Sequence, residues 1–217
     1  MIHYSLNGRW LMAGSRDDTP EQGTGSPGTG GTCLRETEGK RTQDGRHAWT
    51  EGTIPGSVYS FLLDAGRMDD PYYRDNELDA LKRMDQDYIF FRTFIPADGI
   101  LSCAHQVLRF DGIDTLSEVC LNGQVLGRTD NMHISWEFDV CGILRPGENE
   151  LSVTIFSPTR FIREADERYH LGGSDECMRG FPHLRKAHCM FGWDWGPRLP
   201  DGGIWRDVTL LGWNQSR

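Results

Sequence analysis

No run of about eighteen consecutive apolar residues occurs in the chain, so no helix of membrane-spanning length is encoded. No two cysteines form a Cys-x-x-Cys pair. Cys33, Cys103, Cys120, Cys141, Cys177 and Cys189 are dispersed, which removes the usual zinc and thioredoxin-like signatures. The opening MIHYSLNGRW lacks the charged-then-apolar order of a secretory signal. These features lead to the expectation of six reduced thiols in a cytoplasmic protein. Basic charge is scarce: 23 Lys and Arg face 32 Asp and Glu, for a formal net charge of -9. No block of like charge stands out, which argues against a nucleic-acid partner. P-loop and Gly-x-Ser-x-Gly motifs are missing too, and with them the simplest phosphate-binding and serine-hydrolase readings.

What is present reads as a globular β protein. The 217 residues, 37% hydrophobic and 25% charged, suffice for a sizeable core. Asn7, Gly8 and Trp10 begin a first strand, and 48–56 forms another ending at Pro55-Gly56. From residue 87 the pattern turns to short aromatic and β-branched runs at 87–95, 105–113, 116–127, 134–140 and 149–157, with a last strand over 203–213. Asn122-Gly123 between two such runs predicts a type I′ hairpin, whose central residues both need positive φ. A helix is predicted over 57–66, with Ser57 as N-cap, Val58, Phe61, Leu62 and Ala65 as its apolar stripe, and Gly66 as its stop. A second is predicted over 76–84, and 159–173 has a helical look. Residues 14–47 read as a long flexible loop and 171–202 as a long connection of the kind that often carries function. The expectation is one all-β domain over 1–217: an antiparallel jelly-roll β-sandwich with one or two short helices.

The densest chemistry lies in FGWDWGPRLPDGGIW (191–205), where three Trp, two Asp, four Gly and two Pro share fifteen residues. Asp194 stands between Trp193 and Trp195. One reading is a sugar contact, in which the carboxylate accepts hydrogen bonds from neighbouring hydroxyls and an indole meets the C–H face of the ring. The other is a turn cap with both indoles packed inward. Asp175, Glu176, Asp201 and Asp207 are candidates for a second carboxylate, but no spacing selects one. His183, His188, Cys189 and Cys177 fit no structural zinc pattern, so no metal or cofactor is expected. Arg179, Arg185 and Lys186 are candidates to pair with Asp194, with acids of another domain, or with solvent alone.

Three blocks resemble the β-mannosidase branch of glycoside hydrolase family 2. They are PGSVYSFLLDAGRMDDPYYRDNE (55–77), FDGIDTLSEVCLNGQVLGRTDNMHISWEFDV (110–140) and RKAHCMFGWDWGPRLPDGGIWRDVTL (185–210). The resemblance implies a galactose-binding-domain-like jelly roll at the N-terminus of a larger retaining glycosidase. It implies that both catalytic glutamates lie on a TIM barrel outside these residues. Segment 191–197 would then dock on that barrel and complete its pocket for a terminal β-mannoside. Asp194 would bind sugar hydroxyls, and Trp193 and Trp195 would line the pocket. The chain alone would be inactive. Three alternatives stay open: another family 2 specificity (β-glucosaminidase, β-galactosidase or β-glucuronidase), a carbohydrate-binding module that works alone, and a purely structural domain that buttresses the barrel.

Overall fold

Alternation of apolar and polar side chains along short strands dictates the architecture. The computed structural model describes residues 1–15 and 49–215. The elements run in chain order as β1 (Ile2–Ser5), β2 (Gly8–Gly14), β3 (Thr50–Ile54), β4 (Gly56–Ser57), α1 (Val58–Asp64), α2 (Glu77–Arg83) and β5 (Tyr88–Phe94). Next come β6 (His105–Phe110), β7 (Leu116–Leu121), β8 (Gln124–Asp130), β9 (Trp136–Asp139), β10 (Asn149–Ile155) and α3 (Pro158–Arg168). The last are β11 (Phe191–Trp193), β12 (Gly196–Arg198), β13 (Gly203–Ile204) and β14 (Val208–Trp213). Among the described residues, one sheet has the order β1-β14-β6-β9 and the facing one β3-β2-β5-β10-β7-β8. Every pairing between these strands is antiparallel. The expected all-β sandwich is therefore what the chain forms. No described helix is long and apolar enough to cross a membrane.

Period-2 burial is clearest in β10, where Asn149, Leu151, Val153 and Ile155 point inward. Leu151, Val153 and Ile155 meet Trp10, Met12, Phe90 and Val119 of their own sheet and Leu108, Phe110, Val208 and Leu210 of the other in one hydrophobic cluster. Trp10 is fully buried because its indole Nε1 donates to the Leu6 carbonyl at 2.8 Å. Helix α1 closes one side of the sandwich. Ser57 caps it, with Ser60 in the reciprocal position of a capping box. Val58, Phe61 and Leu62 are buried as expected, but Ala65 is exposed and Tyr59 takes its place. The Tyr59 hydroxyl donates to the Ala80 carbonyl at 2.9 Å, which lets this ring pack inward. Helix α1 packs against β3, with the Phe61 and Phe90 rings edge to face at 5.3 Å.

Other expectations are corrected. The strand read over 203–213 splits into β13, which pairs with β4, and β14, which pairs with β6. Asp207 lies between the two and accepts from Asn7 at 2.8 Å. Cys120 is disulfide-bonded, whereas Cys103, Cys141, Cys177 and Cys189 are free. The expected six reduced thiols thus fail at Cys120, because a disulfide depends on proximity in space and cysteine spacing along the chain does not report it. Residues 16–47 of the expected long loop lie outside the described residues, while Gly14 closes β2.

The Asn122-Gly123 turn joins β7 to β8 with φ of 53° and 81°. The Asn122 amide donates to the Ile143 carbonyl at 2.9 Å and to Asn149 Oδ1 at 2.8 Å, and its oxygen accepts from the Glu150 N–H at 3.0 Å. Asn122→Ala removes all three bonds and leaves a Cβ residue in the left-handed region without them. We expect a loss of about 2–3 kcal/mol, read from the urea unfolding midpoint at unchanged m.

Candidate functional site

The 171–202 connection is not featureless. Strands β11 and β12 form a hairpin in which Phe191 pairs with Arg198 and Trp193 with Gly196. Asp194 and Trp195 are its two turn residues. Phe191 at the base is fully buried in a small cluster with Ile162 and Leu184. The tip points outward: Trp193 is 43% and Trp195 75% exposed, and Asp194 is exposed too. The Asp194 carboxylate makes no hydrogen bond or ion pair with any described residue, so it caps no turn. The two indoles do not pack into the core.

The base of this hairpin is fastened at several points. Gly192 has φ of 92°, and a Cβ there would sit 2.4 Å from Arg198 Cγ, so only glycine lets the Arg198 side chain cross the opposite strand. Arg198 then reaches Glu77 on α2 at 2.5 Å. The Cys177 thiol donates to the Gly192 carbonyl at 2.9 Å, and the Met178 N–H donates to the Phe191 carbonyl at 2.9 Å. Leu199 N–H closes the far side onto the Met190 carbonyl at 2.8 Å.

Deeper still lies Lys186, which is fully buried. Its ammonium pairs with the buried Asp114 carboxylate and donates to the Asp201 carbonyl at 2.6 Å. Asp114 also exchanges backbone hydrogen bonds with Gly203 at 2.8 and 2.9 Å. One charge thus ties the segment before the hairpin, the segment after it and the start of β7. Asp201, considered as a catalytic acid, turns its carboxylate to the backbone N–H groups of Tyr59 at 3.1 Å and Gly202 at 2.8 Å. Burial pushes its pKa up to about 6, against the hydrogen bonds from Ser57, Gly202 and Tyr59 and the charge of Lys186. The same burial, with the Asp201 charge next, raises the Tyr59 phenol.

The remaining candidates do other work. Arg179 pairs with the buried Asp166 at 2.5 Å and Arg185 with Asp130 at 3.0 Å, so neither of them, nor Lys186, serves Asp194. His170 Nδ1 sits 2.9 Å and His183 Nε2 3.9 Å from the Asp166 carboxylate. Burial raises Asp166, but the Arg179 and His170 hydrogen bonds outweigh it and hold the carboxyl below its usual range. His188 lies 3.3 Å from the Leu184 carbonyl and edge-on to Phe181. No group of three or more potential metal ligands occurs among the described residues. Asp175 and Glu176 lie on the exposed loop between α3 and the hairpin. The buried Lys186–Asp114 pair was not anticipated, since its members stand 72 residues apart and no spacing links them.

The sequence signature of the family described as glycosyl hydrolase 2 galactose-binding domain-like matches residues 35–206. The chain belongs to this family. Like other matches to this galactose-binding-like domain, the β-mannosidase of Bos taurus is 33% identical over 172 residues, which is 75% of this chain and 19% of that protein. The β-mannosidase of Mus musculus is 32% identical over 173 residues, with the same coverage. The crystal structure of the β-D-mannosidase from Dictyoglomus thermophilum superposes with a TM-score of 0.82 at 35% identity, covering 100% of this chain and 23% of that one. The exo-chitosanase of Amycolatopsis orientalis, at 16% identity and a TM-score of 0.64 over 98% of this chain and 21% of that one, shares the fold. The galactose-binding-like domain spans about a fifth of the length of the curated relatives it matches.

Two outcomes test these anchors. Lys186→Met leaves the Asp114 carboxylate buried and unpaired, and should cost about 3–5 kcal/mol in denaturant unfolding. Asp201 is an acid whose pKa is raised in the folded state, so the native state binds the extra proton between about pH 4 and 6. Its contribution to stability is present below that window and is lost as pH rises through 6. Relative to Asp201→Asn, the wild-type chain should lose up to about 3 kcal/mol between pH 4 and pH 7.5. Parallel pH profiles of the two proteins would contradict this.

Proposed function

We propose that this chain is the N-terminal domain of a β-mannosidase that hydrolyses terminal, non-reducing β-D-mannosyl residues. In this reading the 191–197 hairpin docks onto a catalytic TIM barrel and completes its sugar pocket. The observation that carries it is the tip of the hairpin: an unpartnered carboxylate between two exposed indoles, on a base fastened by the buried Phe191 and the Arg198–Glu77 pair. It also rests on the similarity of this chain to β-mannosidases, at 33% identity to that of Bos taurus and 35% to that of Dictyoglomus thermophilum.

The chemistry follows from the groups present. The Asp194 carboxylate only accepts hydrogen bonds, and its two oxygens suit a pair of adjacent sugar hydroxyls. The Trp193 face suits the C–H side of the same ring. Because the hairpin is fastened beforehand, little ordering cost falls on the binding step. Retaining hydrolysis needs two carboxyl groups about 5–5.5 Å apart on either side of the scissile bond. In this reading the barrel supplies that pair as glutamates, and Asp194 positions the sugar between them through hydroxyl contacts that strengthen in the transition state. The 217-residue chain alone then offers one wall of a pocket, with weak affinity and no hydrolysis.

Asp194→Ala in the full-length enzyme should lower kcat/KM for 4-nitrophenyl β-mannoside by about 100-fold or more, as expected for losing two hydrogen bonds to a charged group. The unfolding midpoint should stay within about 0.5 kcal/mol of wild type, since the tip is exposed. An unchanged kcat/KM would reduce the hairpin to a buttress. A nitrophenyl glycoside panel in which glucosaminide, galactoside or glucuronide outruns mannoside would overturn the specificity.

A further inference from the structure

A cavity adjoins the hairpin base and has no part in the function so far described. It is a half-open pocket of about 440 Å³ on the 170–182 loop, and its walls include His170, Gly172, Ser174, Asp175, Cys177 and Phe181. That volume lies within the roughly 300–1,000 Å³ range of small-ligand pockets. We infer that this cavity holds the second ring of an oligosaccharide whose terminal mannose sits at Asp194, so that it selects the leaving group. The inference rests on the function proposed above.

Position is the first argument. Cys177 lines the cavity and also donates its thiol to the Gly192 carbonyl. Phe181 lines it and packs its ring 6.2 Å from that of Phe191. The cavity wall is therefore continuous with β11. Asp194 lies two residues beyond Gly192, no more than about 7 Å of extended chain. Two neighbouring rings of one glycan are separated on that scale.

Chemistry is the second. The Phe181 ring gives the wall an apolar face for C–H contact. Around it stand the His170 ring and the Asp175 carboxylate, which has no partner among the described residues, while the Ser174 hydroxyl beside them is already bonded to Glu176 at 3.3 Å. His170 directs Nδ1 to Asp166, which leaves Nε2 for other contacts. The cation at this wall is already engaged, because Arg179 binds Asp166. The uncompensated charge is negative, which repels phosphate, sulfate or carboxylate ligands. A neutral ring rich in hydroxyl donors fits better, with its hydroxyls turned to Asp175.

The wall is also pre-formed. Asp166 holds His170 and Arg179 from α3. Gly180, with φ of 85°, lies so close to α3 that a Cβ would come within 2.4 Å of the Ile162 carbonyl oxygen. Gly172 is different: a Cβ there meets nothing within 4 Å. A larger side chain at 172 has room to grow beside the cavity without disturbing its frame.

The test compares two substrates in the full-length enzyme, β-1,4-mannobiose and 4-nitrophenyl β-mannoside. The ratio of their kcat/KM values should fall about tenfold in Asp175→Ala, which removes the hydroxyl acceptor, and in Gly172→Phe, which obstructs the cavity. Wild-type ratios in both variants, or equal losses on both substrates, would overturn the inference. Asp194→Ala separates the two levels. If it lowers both substrates while the ratio in the other variants holds, only the leaving-group cavity fails. If it lowers neither, the proposed function fails first and the cavity with it.

Discussion

The buried Lys186 ammonium is the constraint from which the loop side of the molecule is organised. Removing an ammonium and a carboxylate from water costs several kcal/mol each, and the pair offsets this only with close geometry and further hydrogen bonds. Here the Asp201 carbonyl supplies one of those bonds, and the backbone exchange between Asp114 and Gly203 holds the carboxylate in place. A hydrophobic pair of similar volume would pack the same space without that demand. The ionic version, however, has only one arrangement that satisfies both charges. It therefore fixes where the chain enters the hairpin region and where it leaves.

Between those points the hairpin is held by contacts of different kinds. Phe191 supplies hydrophobic burial, Arg198 an ion pair with α2, and Cys177 and Met178 hydrogen bonds from the preceding loop. Asp166 gathers that preceding loop onto α3 through two bonded side chains on the loop. Irregular backbone thus behaves as a rigid platform without belonging to either main sheet. Immobilising three aromatic or charged side chains of a flexible loop costs about 0.5–1.5 kcal/mol for each.

The sandwich was legible because period-2 alternation states directly which face of a strand is buried. The runs at 87–95, 105–113 and 149–157 all became strands, and Asn122-Gly123 became the turn its φ requirements specify. The exposed tip was legible in part: Asp194 between two indoles in a Gly/Pro frame marked the place, but whether the indoles turned inward depended on the Phe191 cluster beneath them. Contacts between distant segments were not legible. Lys186 reads as one more basic residue until Asp114 meets it, and Asp201 reads as a loop acid until Tyr59 and Gly202 surround it. Cys120 belongs to the same class, since cysteine spacing says nothing about proximity in space.

The separation between base and tip of the hairpin has an evolutionary consequence. Every contact named as anchoring it is made at Phe191, Gly192 or Arg198 or outside the hairpin, while Trp193, Asp194 and Trp195 are exposed. Drift at these three positions is shielded from selection for folding. A lineage can therefore vary these positions by single codon changes while inheriting the same scaffold.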